Sequence, residues 1–305
     1  MLQTIGRRRS PALSVRLATA RVAGIASLGL MVAVAAAPGA HAQDRAGHEI
    51  TLAPHRAVYD IELAEARNGS NVSSMSGRMV YELAGSQCNG YTQSMRFVTR
   101  IGAQEGSSTL SDLRSSSWED TLATAFRFSS SQYKDSKLED ATDGDARRDN
   151  INAEIKVDLT KPEKKSLTLK RGTYFPVQHS IALLAAARKG LRTFTADLYD
   201  GSEKGDKVYS TVSFIGTENP PGYNSKLPAA PTSSALDKLR SWPVSISYFE
   251  LGSGKQDAIP SYELAFVYFE NGVSRSLLID YGEFSVRGTL KSIEMLPVER
   301  CPATR

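Results

Sequence analysis

Few residues in this chain have the type and spacing that chemistry requires. Beyond its first 42 residues it carries three histidines, His48, His55 and His179, and none has a partner at the H-x-x-x-H spacing that puts two imidazoles on one helix face for a metal. It contains no G-x-S-x-G nucleophile elbow, phosphate-cradling glycine loop or dinucleotide fingerprint. Ser131-Gln-Tyr-Lys134 matches the acylating S-x-x-K pattern, but that motif opens a helix and these residues sit in a strand-like run. The acidic segment Glu139-Asp-Ala-Thr-Asp-Gly-Asp145, followed by Arg147 and Arg148, lacks the spacing and closing glutamate of a calcium loop and reads as a solvated turn. Trp118-Glu119 and the scattered tyrosines and phenylalanines read as core and cross-strand packing. No metal site, cofactor or catalytic residue is expected.

Two cysteines remain, Cys88 in the turn-like Gly85-Ser-Gln-Cys-Asn-Gly90 and Cys301 near the C-terminus. A metal site, a reactive thiol and a disulfide are the three readings. Zinc wants additional nearby ligands and a redox pair wants C-x-x-C spacing, so a structural bridge is the favoured one. Compartment decides the matter, because lone cysteine pairs oxidise outside the cytosol. The N-terminus speaks to that. Arg7, Arg8, Arg9, Arg16 and Arg21 precede an apolar run from Val22 to Ala37 and the small-x-small sequence Ala40-His41-Ala42. Residues 1–42 therefore read as a signal peptide cut after about Ala42, with an apolar run too short for a lasting membrane span. Gln43 follows, so no lipid-bearing cysteine is expected there, and residues 43–305 read as one soluble periplasmic domain without a transmembrane segment.

Removing 42 of the 305 residues leaves 263 and takes five arginines with them, so 32 Lys+Arg face 33 Asp+Glu and the net charge drops from +4 to near −1. The basic balance of the full sequence belongs to the leader, and nothing argues for a nucleic-acid partner.

The elements that must position any site are mostly strands. Apolar and polar residues alternate from Ile151 to Leu159, and in Met79-Tyr81-Leu83, Tyr91-Met95-Phe97, Phe194-Ala196-Leu198, Val208-Val212-Phe214, Val244-Ile246-Tyr248 and Phe284-Val286-Leu290. Tyr262–Phe269 is apolar on both faces apart from Glu263, and Asn271-Gly272 marks a hairpin turn after it. About 12–14 strands at hairpin spacing imply one large curled antiparallel sheet, a β-spiral or open barrel. One helix is expected at about 177–189, with Pro176 at its start and Gly190 as its stop. Its segment Ile181–Ala187 is apolar all round, so it must be buried, and a curled sheet buries it by wrapping it. Residues 217–234, with Pro220, Pro221, Pro228 and Pro231, read as a mobile loop unable to pair as a strand, and a short helix is expected within 234–240.

Longer strings carry a family likeness. Leu52-Ala-Pro-His-Arg-Ala-Val-Tyr-Asp60, Ser76-Gly-Arg-Met-Val-Tyr81, Ser117-Trp-Glu-Asp120, Phe175-Pro-Val-Gln-His179, Tyr199-Asp-Gly201, Trp242-Pro-Val244, Glu270-Asn-Gly-Val-Ser-Arg275 and Ile279-Asp-Tyr-Gly282 resemble the EipB family of periplasmic cell-envelope integrity proteins, from about Leu52 to Cys301. The resemblance implies a spiral antiparallel sheet akin in shape to lipoprotein carriers, a Cys88–Cys301 bridge and a role in envelope integrity. It implies no reaction.

Three functions follow. A carrier would hold a lipid or lipoprotein acyl chain in the concave sheet, since wide curled sheets leave interior volume. A scaffold would dock another periplasmic protein and fill the sheet with its own helix. An enzyme would need a site that the motifs do not show. For a carrier, the expected cavity residues are Ile181 and Leu184 on the helix and Met79, Tyr81, Phe97, Tyr262, Leu264 and Phe266 on the wall. The placement of the helix, as plug or as lid, separates the first two readings.

Overall fold

The computed structural model describes residues 50–223, 233–251, 259–298 and 301; the expected signal peptide and residues 224–232 of the proline-rich 217–234 segment lie outside them. Fourteen antiparallel strands form one sheet. They are β1 (His55–Ala66), β2 (Val72–Ser86), β3 (Gly90–Ala103), β4 (Ser108–Glu119), β5 (Ala125–Lys134), β6 (Lys137–Arg147), β7 (Ile155–Lys161), β8 (Lys165–Leu169), β9 (Thr193–Leu198), β10 (Tyr209–Ile215), β11 (Ser241–Glu250), β12 (Tyr262–Phe269), β13 (Ser274–Asp280) and β14 (Phe284–Met295). Among the described residues there is one α-helix, α1 (Pro176–Arg188), between β8 and β9.

Strand order is β8-β7-β6-β5-β4-β3-β2-β1-β14-β13-β12-β11-β10-β9. Strands consecutive in sequence pair with each other, except that β8 and β9 lie at the two edges and β14 returns to pair with β1 in mid-sheet. The two edges, β8 and β9, are consecutive in the chain. Only residues 170–192 connect them, so the sheet has to curl until its ends meet. Tyr174 makes the seam with a parallel bridge to Leu198: its N–H donates to Asp197 O at 2.7 Å, and the Tyr199 N–H donates to Tyr174 O at 2.9 Å.

Burial inside this curl explains α1. Its residues Val177, His179, Leu183, Leu184, Ala186 and Ala187 are buried, and none of its residues is exposed. Helices that show water no face are core elements, and a 13-residue helix is too short to cross a bilayer. The main core gathers Leu183, Leu184 and Ala187 with Tyr59, Leu83, Ile246, Phe269, Val286 and their neighbours. A second, smaller core joins Phe126, Phe128, Ile155, Val157, Phe175 and Tyr199 at the seam. Phe126 stacks on Phe175 with ring centroids 5.0 Å apart, and Phe128 meets Tyr199 edge-on at 5.6 Å. Gly201 makes that fit possible: a Cβ there would sit 2.3 Å from the Phe128 ring, and its φ of +70° suits glycine.

Several local expectations need correction. The acidic segment 139–145 is not a solvated turn but part of β6, with Thr142, Gly144 and Ala146 buried and Asp145 paired to Arg147 at 2.8 Å. Its alternation was hidden because the inward residues are small rather than greasy. β7 begins at Ile155, and Ile151 is exposed in the preceding turn. On β10 the buried face is Tyr209, Thr211, Ser213 and Ile215, while Phe214 points outward. Within 217–223, Asn219 does pair with Ser241 through two backbone hydrogen bonds of 2.8 and 3.1 Å, which precede Pro220. The short helix is a 3-10 turn at Ser233–Leu236. The Asn271-Gly272 turn joins β12 to β13, and Gly272 takes a φ of +88°.

Cys88, in the β2–β3 turn, is bonded to Cys301 beyond β14, with Cα atoms 5.5 Å apart and a sequence separation of 213. A loop that long gives about 5 kcal/mol in the chain-entropy picture, an upper figure. Thiol titration of the unreduced, denatured protein should find essentially no free thiol. Cys301→Ser should lower the melting temperature by several degrees and leave the strand signal in circular dichroism intact. Two reactive thiols per chain, or loss of the strand signal in the variant, would contradict this placement.

Candidate functional site

The helix enters the sheet on a buried carboxyl group. Pro176 occupies the first helical position, where a missing N–H costs nothing. Phe175 precedes it and has no side-chain acceptor, so the free N–H groups of the first turn need a partner from elsewhere. Glu119, at the end of β4, supplies both oxygens: Val177 N–H donates to Oε2 at 2.7 Å and Gln178 N–H to Oε1 at 2.9 Å. Glu119 is 2% exposed. Burial pushes its carboxyl up to about 8 against the opposing pull of the two N–H donors and of Arg148.

Arg148 sits beside it, buried against the Phe175 ring at 4.9 Å. Its guanidinium donates to Ala123 O at 2.7 Å, Thr173 O at 3.0 Å and Gln178 Oε1 at 2.9 Å. These bonds tie the β5–β8 end of the sheet to the start of the helix. One turn further, His179 is tied to the β9–β10 side. The Thr211 hydroxyl donates to Ala196 O at 2.8 Å, so its oxygen accepts from His179 Nε2–H at 3.0 Å. Burial lowers that imidazole to about 4, which keeps it neutral.

Between α1 and the sheet lies a cavity of about 410 Å3. From the helix, Pro176, His179, Ser180 and Leu183 face it, the i, i+3, i+4, i+7 spacing of one helical face. From the sheet, Met79, Tyr81, Tyr262, Leu264 and Phe266 line it with His55, Tyr59 and Tyr248. Phe97, although paired with Met79, packs against the core and is not among the lining residues. Ile181 and Leu184 are not either: Leu184 is fully buried in the main core and Ile181 packs against it. Apolar character drew attention to that side of the helix, but the side turned to the cavity is the more polar one.

A second, larger space of about 660 Å3 adjoins the first. The two share Tyr81, Gln93, Met95, Pro176 and Asp200 as lining residues. Tyr81, Asp200 and Tyr262 are deeply placed yet keep accessible surface, because the space they face is the cavity. Burial raises the Asp200 carboxyl, whose Oδ1 accepts from Ser202 N–H at 2.9 Å. Tyr248 and Tyr262 stack beside it at 4.3 Å.

Chemically, the first space is walled mainly by aliphatic and aromatic side chains with a few polar groups. Glu119 and His179 are occupied in holding the helix. His55 Nδ1 lies 2.8 Å from Ala53 O, so that nitrogen carries the proton and Nε2 is left as an acceptor. Among the described residues no group of three or more His, Cys, Asp or Glu is arranged to hold a metal, and no helix is long and apolar enough to cross a membrane.

Comparison with known proteins places this architecture. The pattern that defines the EipB-like family matches residues 46–297. The cell envelope integrity protein EipB of Brucella abortus is 36% identical over 251 residues, which cover 82% of this chain and 86% of that one. A crystal structure of a β-barrel-like protein of a domain of unknown function, also from Brucella abortus, superposes with a TM-score of 0.73 at 35% identity, over 81% of this chain and 99% of that one. The chain belongs to the EipB-like family.

Removing the Glu119 carboxylate strips two N–H groups of their acceptor. Glu119→Ala should cost about 2–4 kcal/mol in denaturant unfolding, and Glu119→Gln, which keeps one acceptor oxygen, should cost less. The acid's folded value, about 8, lies above its unfolded 4.5. Its contribution is therefore complete below pH 4.5 and is lost as pH rises through about 8. Unfolding free energy measured from pH 6 to 9 should fall in the parent more than in Glu119→Gln. Parallel pH curves for the two proteins would count against the assignment.

Proposed function

We propose that this member of the EipB-like family is a non-enzymatic periplasmic holder of an acylated amphiphile, a lipid or the acyl chain of a lipoprotein, and serves the cell envelope in that way. The cavity beneath α1 carries the reading. At about 410 Å3 it falls in the roughly 300–1,000 Å3 range of small-molecule sites. Its walls are mainly aliphatic and aromatic, and its polar groups are few and fixed: Tyr59 donates to Ser274 O at 2.7 Å, and Gln93 donates to the Tyr81 oxygen at 2.8 Å. An apolar chain placed there would be shielded from water by the helix on one side and the sheet on the other.

The periplasmic setting rests on the basic, apolar and small-residue order of the first 42 residues and on the disulfide. A relative bearing the name of a cell envelope integrity protein supports the physiological half of the reading. The helix lids a cavity instead of filling the curl, which favours the carrier over a scaffold whose interior is solid.

An apolar fluorescent probe should bind the parent saturably. Leu264→Glu sets a charge on the cavity wall and removes about 2 kcal/mol of apolar contact, so affinity should drop roughly 30-fold while the strand signal is kept. A flat titration with folded parent protein would overturn the carrier reading and leave the scaffold.

A further inference from the structure

We propose that the larger half of the interior is built for an uncharged, hydroxyl-bearing head group and discriminates against anionic ones. The inference rests on the carrier reading and specifies the ligand class of that same site.

The observation is a change of chemistry along one face of the sheet. Inward residues in register across β2 to β6 run Tyr81, Met95, Ser115, Ser130 and Thr142. All five line the 660 Å3 space. Beside them Gln93 pairs with Ser117, and Gln132 pairs with Leu113 one row further along. An inward sheet face is ordinarily the apolar one, because it builds the core. Here it turns hydroxyl-rich at β4, and the two apolar cores lie on either side of that wall instead of fusing. Small hydroxyls and primary amides both donate and accept, as a polyol or glycerol head requires.

Charge completes the argument. Among the described residues no Lys, Arg or His lines this space, whereas Glu139, Asp140, Asp200 and Glu203 do. Lys207, which pairs with Glu203, is also held by Glu250 at 3.1 Å. A phosphate head would find carboxylates and no cation, whereas anion sites are built from arginine, lysine or clustered N–H donors. Burial raises the Asp200 carboxyl, and its Oδ1 accepts from Ser202 N–H at 2.9 Å, so the junction of the two halves offers an anion no positive partner. An acyl chain in the aromatic half would place its head beside Tyr81, Gln93 and Asp200, at the start of the serine wall.

The test uses two ligands that differ by one phosphate. Monolauroylglycerol and lauroyl lysophosphatidate, below their aggregation concentrations, compete for a bound apolar fluorophore on the mature, oxidised chain. The neutral ligand should displace the probe at least tenfold more tightly. Ser130→Lys should narrow that ratio at least tenfold by admitting the phosphate. Should that variant unfold, Ser115→Ala/Ser130→Ala should weaken the glycerol ligand while leaving probe affinity within twofold. Equal or tighter competition by the phosphate ligand, or displacement by neither, overturns the head-group inference while probe binding still upholds the carrier. Absence of saturable probe binding defeats the carrier itself, and this inference with it.

Discussion

Two strand edges at opposite ends of a fourteen-strand sheet are joined by 23 residues, and that short tether sets the shape of the molecule. An antiparallel sheet of this width would otherwise lie open, with two unpaired edges offered to other chains. With residues 170–192 as the only link, the edges must approach, and the helix within that link is drawn inside the curl. The Glu119 carboxylate makes the arrangement tenable. It satisfies the N–H groups of a largely buried helix start that has no side-chain cap of its own. Arg148 then binds the same helix start to the far end of the sheet.

The cavity follows from this arrangement. The helix is held at its N-terminal end by Glu119 and Arg148, and along its length by the packing of Leu183, Leu184 and Ala187. It cannot sink deeper into the curl without breaking those contacts. The face Pro176, His179, Ser180 and Leu183 is left over the concave wall with space beneath it. The serine wall then keeps the larger space from collapsing into a third packed core, because burying those hydroxyls without partners would cost more than the contacts return. The same tether that closes the sheet thus also leaves it hollow.

Much of this was legible in the sequence. Strand alternation gave the sheet, the strand count and its antiparallel sense, and Pro176 and Gly190 bracketed the helix within a residue of its observed ends. Of the six wall residues named from the sequence, Met79 and Tyr81 follow the phase of an alternating strand, Tyr262, Leu264 and Phe266 lie on a strand apolar on both faces, and all five line the cavity while Phe97 does not. The helix side was harder to read: when both faces are apolar, periodicity cannot say which one meets the void. Glu119 was invisible because its partner Val177 is 58 positions away, and a strand carboxylate capping a distant helix leaves no local pattern. The serine wall did leave a trace, in Ser115-Ser-Ser117 and Ser129-Ser-Ser131, but apolar alternation is the wrong signal for a face that lines a cavity.

The central claim is that this interior is a ligand site and not merely a gap left by folding. Native mass spectrometry of protein purified from its own cells, without detergent at any step, tests it most directly, followed by extraction and identification of whatever dissociates. The account predicts one acyl-bearing amphiphile per chain, retained through purification and lost when Leu264 is replaced by Glu. Protein that emerges from repeated preparations at the bare mass of its chain, folded and bridged between Cys88 and Cys301, would contradict it.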